Sequence, residues 1–364
     1  MFNKTEVVDL DKQTVNKLDF LLKSELIPLV RSIDIDSFYP KDFLVALAEA
    51  GFFSSQNQKY DDVLRREAAV IKKVSSYCMT TGFVIWCHLA AITFIRNTKN
   101  KELKEKLLKS LEDGSILAGT GLSNAMKYYG GIETLYLKAE KADGGYIVSG
   151  TLPSVSNLGE NHWFGAIANT DDDRRVMLFI PCYTNGITLT EKRNYLGVNG
   201  SATYICKLKN VYIKKEFVIA EDADAFVKAI RPYFLSYQVP LGLGVTEASL
   251  KTLDKSYKKN DNKNETQREL DLLWKRTRHL NNQFTNVLSD PIKLDWGEII
   301  LIRLEMVKLT LEVVHSTMLH SGGAGYIYQS APSRRLREAY FLVNLTPTIK
   351  HLENMNIKSK IPKA

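Results

Sequence analysis

A chain of 364 residues with 45% hydrophobic and 25% charged residues is long enough for two or three packed layers or domains, and this composition excludes a disordered or low-complexity protein. The formal charge of +8 comes from basic residues spread along the chain and interleaved with acids, so no nucleic-acid partner is expected; the bias suits a phosphate-bearing small molecule as well. Cys78, Cys87, Cys182 and Cys206 form no CxxC pair and the six histidines include no HExxH spacing, which excludes a disulfide framework and a zinc site.

The amino-terminal stretch MFNKTEVVDLDKQ lacks the unbroken apolar core of a signal peptide, and no uninterrupted run of about 18 apolar residues occurs, so a cytoplasmic protein with no membrane partner is expected. From there the periodicity is helical. DKQTVNKLDFLLKSELIPLVRSI, YPKDFLVALAEAGFF, DDVLRREAAVIKKVSSYCMTTGFVIWCHLAAITFIRN and KELKEKLLKSLEDG all place apolar residues three and four apart, with Gly51 and Gly114 where helices stop. From Ile116 short β-rich runs follow: ILAGTG, TLYLKAEKA, GGYIVSG, WFGAIANT, RRVMLFIPC, ITLTEK and ATYICKLKNVYI, punctuated by DGG, DDD and TNG. After Ala220 the helical pattern returns to the carboxyl end. The expected fold is α+β: a helical domain over 1–115, a compact antiparallel β-domain over 116–222 and a helical bundle over 223–364. The apolar arc of EIILIRLEMVKLTLEVVHSTML is wider than one monomer's core needs, which points to a homo-oligomer.

Three segments carry a resemblance. GGYIVSGTLPSVSN in the β-region, YLGVNGSAT farther on and SGGAGYIYQSAPSRRLREA near the end are similar, in this order, to flavin-lining and structural segments of the acyl-CoA dehydrogenase superfamily, and the resemblance covers essentially the whole chain. It implies that family's fold, with a helical domain before and a helical bundle after the β-domain, a bound flavin, and a homotetramer. It also implies that Gly322, Gly323 and Gly325 lie near the phosphate part of the flavin, often of a neighbouring subunit; glycine there lets backbone N–H groups approach an anion closely. The competing reading of those glycines is an ordinary helix C-cap and turn.

Departures from the family pattern shape the expected function. Where most members carry the glutamate that removes the α-proton of an acyl thioester, the matching position is Thr346, followed by Pro347 and Thr348. The alternative location of that base, in KAIRPYFLSYQVPLGLG, contains no acid. The Arg-x-x-Phe-Gly segment that contacts the adenosine diphosphate of FAD is replaced by KKNDNKNETQRELDLL, which leaves FMN, or reduced flavin diffusing from a flavin reductase, beside FAD as the cofactor. GLSNAM at 121–126 resembles the reduced-flavin monooxygenase branch. By that resemblance Asn124 contacts the flavin ring, Ser156 with its neighbour Asn157 hydrogen-bonds the ring's reactive edge, and His88 faces the substrate cavity as a proton carrier. Two bland readings stand beside these: His88 as a core histidine bonded to a carbonyl, and Ser156 as a turn residue. Trp163 is read as packing, and Arg337 and Glu338 as a structural ion pair at the start of the terminal helix. The expected activity is a reduced-flavin-dependent monooxygenase acting on a small organic substrate. A dehydrogenase with a relocated base, or a catalytically silent flavin- or thioester-binding homologue, are the alternatives.

Overall fold

The computed structural model describes residues 10–258, 263–289 and 294–360. The amino-terminal stretch used above to argue against a signal peptide lies largely outside them, as does part of the basic loop around KKNDNKN.

The first helical run divides. Asp11 caps α1 (Lys12–Leu21) by accepting from the backbone N–H groups of Gln13 and Thr14, and a π-helical turn and a 3-10 turn lead into α2 (Val30–Ile35). Helices α3 (Lys41–Glu49), α4 (Tyr60–Ser75), α5 (Met79–Asn97) and α6 (Lys101–Glu112) follow. Every residue of α5 from Met79 to Ile95 is buried. With a mean hydropathy of 1.3 it has the length and composition of a membrane span, but neighbouring elements enclose it on all sides and it forms the axis of the helical core.

The middle of the chain is β1 (Ala118–Thr120), α7 (Ser123–Tyr129), β2 (Leu137–Ala142), β3 (Gly145–Val155), β4 (Trp163–Thr170), β5 (Arg175–Pro181), β6 (Ile187–Glu191), β7 (Tyr204–Lys214) and β8 (Val218–Ala220). The strand order is β6-β7-β3-β2-β4-β5-β8, with β1 beside β4. Most pairings are antiparallel as expected, but β1 and β2 run parallel to β4, so the sheet is mixed. The local sequence could not show this, because each parallel pairing joins strands separated by a connection that crosses the sheet. Gly150, at φ +138°, marks a bulge in β3 where a Cβ would collide with the carbonyl of Tyr136.

The carboxyl-terminal helices are α8 (Ala223–Ser236), α9 (Val239–Tyr257), α10 (Lys263–Leu288), α11 (Trp296–His320), α12 (Gly322–Tyr326), α13 (Ala331–Asn344) and α14 (Ile349–Lys360). They share one hydrophobic core with the amino-terminal helices, and α9 packs on α4 so closely that a Cβ at Gly244 would strike the carbonyl of Lys72. The stretch from Asp224 to Lys258 is interrupted at Tyr237 and Gln238, and both side chains at the break turn into the core and bond to charged or polar groups there. The sheet has its own smaller core, centred on Leu137, Val148, Phe164, Leu178 and Cys206.

Candidate active-site cleft

Six stretches of chain converge on one cleft of about 610 Å³ between the sheet and the two sets of helices. Helix α5 contributes Phe83, Trp86 and Cys87, which share a face because they are three and four residues apart. Helix α13 contributes Arg337, Tyr340, Phe341 and Asn344 at the same spacing, and the chain continues along the wall with Leu345, Thr346 and Thr348. At the end of β3 the side chains alternate: Val155 points into the sheet core, and Ser154 and Ser156 face the cleft. A backbone bridge sets Ser156 against Thr120 of β1, and Thr203 and the segment from Tyr195 to Val198 close the same side.

One wall is aromatic. Phe83 stacks on Trp86 with centroids 5.5 Å apart, Phe341 meets Phe83 edge-on at 4.6 Å, and Phe234 meets Trp86 at 4.9 Å. The Trp86 indole N–H donates to the Phe234 carbonyl at 3.1 Å, which locks the ring. The opposite wall is a row of hydroxyls. Ser156 Oγ lies 2.7 Å from Thr203 Oγ1, which lies 2.8 Å from Ser201 Oγ, and Ser123 Oγ lies 3.0 Å from Thr346 Oγ1. The Tyr195 hydroxyl is buried in this wall with no partner among the described residues.

Among the described residues no carboxylate and no imidazole lines the cleft. Its charged groups are Lys127, ion-paired with Glu133 at 2.7 Å, and Arg337, ion-paired with buried Asp34 and lying 4.0 Å above the Tyr328 ring. Burial pushes the Cys87 thiol well above its ordinary range, so it stays neutral.

The structure sorts the sequence-derived site residues. Ser156 lines the cleft with its hydroxyl at the surface of the hydroxyl row. His88 does not line it. It is fully buried on another face of α5, its Nδ1 accepts from the Ala118 N–H at 3.2 Å, and its Nε2–H therefore donates to the Leu111 carbonyl at 2.9 Å. Burial lowers its pKa to about 4, so it is neutral at physiological pH with both ring nitrogens engaged. This is the core-histidine reading, and the expected proton-carrier role fails on geometry. Asn124 is also turned away. Its amide donates to the Thr134 carbonyl at 2.9 Å and accepts from the Tyr136 N–H at 2.9 Å, pinning the turn before β2. Asn157, at φ 61°, donates to the Ala118 carbonyl and accepts from the Tyr39 hydroxyl, so its side chain clamps β1 and cannot serve a ligand in the cleft. Gly322 and Gly323 are exposed on the short α12, and neither they nor Gly325 line the cleft. Arg337 and Glu338 are both buried but pair elsewhere, Arg337 with Asp34 and Glu338 with Arg334 at 3.7 Å and the Thr80 N–H at 3.0 Å. Trp163 packs against Phe179 and Phe217.

Residues that sequence reasoning missed are Phe83, Trp86, Phe234 and Phe341. Their signal was available in part as aromatic residues at three-residue spacing in FVIW, but the meeting of three helices was not.

No family model matches the chain. It is 24% identical over 247 residues to a protein named probable acyl-CoA dehydrogenase FadE25 of Mycobacterium tuberculosis, a match covering 63% of this chain. The match spans 62% of that relative's length. Among solved structures, a glutaryl-CoA dehydrogenase of Mycobacterium smegmatis in complex with FADH2 superposes with a TM-score of 0.85 at 18% identity, covering 98% of this chain and 96% of that one. The prolyl acyl carrier protein oxidase AnaB superposes with a TM-score of 0.77 at 16% identity over 96% and 99% of the two chains. Fold and element order are therefore shared with these structures from end to end.

Proposed function

We propose that this chain, which has the acyl-CoA dehydrogenase fold, is a flavin-dependent oxidoreductase of that superfamily, and specifically a monooxygenase that uses reduced flavin on a small organic substrate. One observation carries the finer reading: the cleft is walled by hydroxyls and aromatic rings and, among the described residues, holds no carboxylate or imidazole. Removal of a thioester α-proton needs a base of raised pKa at the substrate. At the position where the family pattern places it stands the Thr346 hydroxyl, hydrogen-bonded to Ser123. The names of the similar proteins support the coarser part, since they include dehydrogenases, one holding FADH2, and an oxidase.

The residues fit a flavin ring. A flat, polar-edged heterocycle needs donors along one edge, and the cleft offers Thr120, Ser156 and Thr203 beside the orphaned Tyr195 hydroxyl, leaving the rings of Phe83, Trp86 and Phe341 as the apolar wall of the substrate space. FAD or FMN bound there supplies the two-electron chemistry. In that reading Ser156, itself oriented by Thr203, donates to the ring edge; the aromatic wall keeps water from the reacting atoms, and the neutral Cys87 thiol adds to that dry surface. Gly322, Gly323 and Gly325 serve the phosphate part of a flavin bound mainly to a neighbouring subunit of a homotetramer. Exposed Leu319, Tyr326 and Ile327 beside them form the surface such a neighbour covers. A flavin reductase supplies the reduced cofactor, and the protein works in the cytoplasm.

The decisive experiment mixes purified protein separately with reduced FAD and reduced FMN in oxygenated buffer and follows flavin reoxidation against release of hydrogen peroxide. Protein that slows peroxide release supports the monooxygenase. Bleaching of bound oxidised flavin by acyl-CoA esters would overturn it in favour of a dehydrogenase with a relocated base. A site-specific result is expected from Ser156→Ala. Loss of one hydrogen bond, about 1.4 kcal/mol, weakens flavin binding about tenfold in a fluorescence titration, with the thermal midpoint unchanged. A lowered midpoint with unchanged flavin affinity would make Ser156 a turn residue.

A further inference from the structure

Behind the cleft wall formed by Asn344, Leu345 and Thr346 lies Arg303 of α11, which has no solvent exposure. Its Nη2 donates to the Leu342 carbonyl at 3.0 Å and its Nε to Gln238 Oε1 at 3.0 Å. Gln238 passes the contact on, donating to the Thr346 carbonyl at 2.9 Å. The guanidinium thus ties down both ends of the wall segment, and it does so without an acid: no ion pair among the described residues includes Arg303, and its Nη1 has no hydrogen-bond partner among them. The other buried arginine clusters differ, since Arg96 has Glu67 and Glu112 beside it, and Arg337 has Asp34.

Such a charge is unusual, because burying an unpaired ion costs several kcal/mol after relaxation. Burial alone pushes the Arg303 pKa down to about 9, still high enough to keep it charged at neutral pH. The surroundings do not cancel it. Along α13, the acids that Arg334, Arg335 and Arg337 meet are only Glu338 and Asp34, and half-buried Arg335 has a threonine hydroxyl as its partner. The two charged groups lining the cleft are already neutralised by Glu133 and Asp34. A single side chain, Gln238, links the fully buried guanidinium to Thr346 of the cleft wall, and the field of a buried charge is screened less over such a path than at the surface.

We propose that the cleft takes its substrate as an anion, a small aromatic carboxylate, with the unpaired Arg303 behind the wall setting the preference for negative charge and the rings of Phe83, Trp86, Phe234 and Phe341 receiving the apolar body. The inference rests on the cleft being the substrate site of the proposed oxidoreductase. It adds the sign of the substrate's charge: positive charge lies behind Thr346 and would depress the pKa of an acid at that wall position. Arg303 acts through the wall and is a specificity and positioning residue.

The test uses flavin-free protein and two probes of equal shape, benzoate and benzamide, titrated by calorimetry. Wild type is expected to bind benzoate about tenfold more tightly than benzamide, corresponding to about 1.4 kcal/mol. Arg303→Met removes the charge at similar volume and should bring the two affinities together; Arg303→Lys should retain the preference. Because Arg303→Met could disturb folding, Gln238→Glu is the second variant: it leaves the arginine in place, pairs it with an acid, and should also abolish the preference. A structural tie alone would leave the benzoate to benzamide ratio unchanged in all variants, and that result overturns the proposal. So does the absence of binding by either probe. Displacement of benzoate by equimolar inorganic phosphate would assign the anion preference to a phosphate group instead, and overturns the carboxylate assignment. Flavin binding is measured separately by fluorescence, so a protein that binds flavin but shows no anion preference sinks this inference alone.

Discussion

Replacing His88 by alanine is expected to cost about 3–4 kcal/mol of folding stability, read as a lowered denaturant midpoint at unchanged slope. The imidazole is the shared partner of two buried backbone groups, the Leu111 carbonyl and the Ala118 N–H, and so joins α5 to the end of α6 and the start of β1. Alanine leaves both groups unsatisfied and opens a cavity against Phe53, whose ring meets the imidazole edge-on at 5.4 Å. The wild-type protein should also show the matching pH dependence. Burial lowers the folded-state pKa from 6.5 to about 4, so the unfolded chain binds the extra proton between those values. The stability linked to the neutral ring is therefore fully present above pH 6.5 and is lost as pH falls toward 4, in total about 3 kcal/mol. His88→Ala should flatten that part of the stability profile. Unaltered stability with abolished turnover would instead return His88 to the catalytic role.

Arg96→Met is expected to be comparably severe, about 3–5 kcal/mol, or roughly 4–7 °C in the thermal midpoint. Arg96 donates from Nε to Glu112 at 2.9 Å, sits 2.9 Å from Glu67, and donates from Nη2 to the Phe53 carbonyl at 2.6 Å. Its own burial opposes the charge, but Glu67, Tyr237 and Glu112 outweigh that effect and hold it above its ordinary range. Glu67 is fully buried; desolvation raises its pKa, with Arg96 and the Tyr237 hydroxyl opposing the rise. Without the arginine, two carboxylates from α4 and α6 remain beside α5 with no cation of equal reach, and Glu67 should take up a proton as it loses its partner. Glu67→Gln keeps a hydrogen-bonding group in place and should be much milder. A midpoint shift of Arg96→Met under about 2 °C would show that solvent reaches the cluster and screens it.

The residues differ in how far they could be read in advance. Helices α4 and α6 were legible because each shows one apolar stripe, and α5 was legible as a helix although its function as the core axis makes it apolar all round. Ser156 was legible from PSVSN, since strand alternation alone turns Ser154 and Ser156 to the face opposite Val155. His88, Asn124 and Asn157 lay in recognisable segments, yet each is consumed by groups outside its own segment: the Leu111 and Ala118 backbone for His88, the Thr134 and Tyr136 backbone for Asn124, the Ala118 carbonyl and the Tyr39 hydroxyl for Asn157. A motif specifies residue type and local conformation; which polar partner a side chain finds depends on the chain that folds over it.

By itself the sequence determined the order of helical and β segments, the threonine at position 346 and the serine at the end of β3, because periodicity and residue identity are local properties. Only the tertiary structure decided that β1 and β2 lie parallel to β4, that aromatic rings from α5, α8 and α13 meet in one wall, and that Arg303 stands behind Thr346 without an acid. Those features depend on contacts between residues from 31 positions apart, as Lys138 and Asn169, to 258, as Phe83 and Phe341, and no local pattern carries the sign of a charge that arrives through packing.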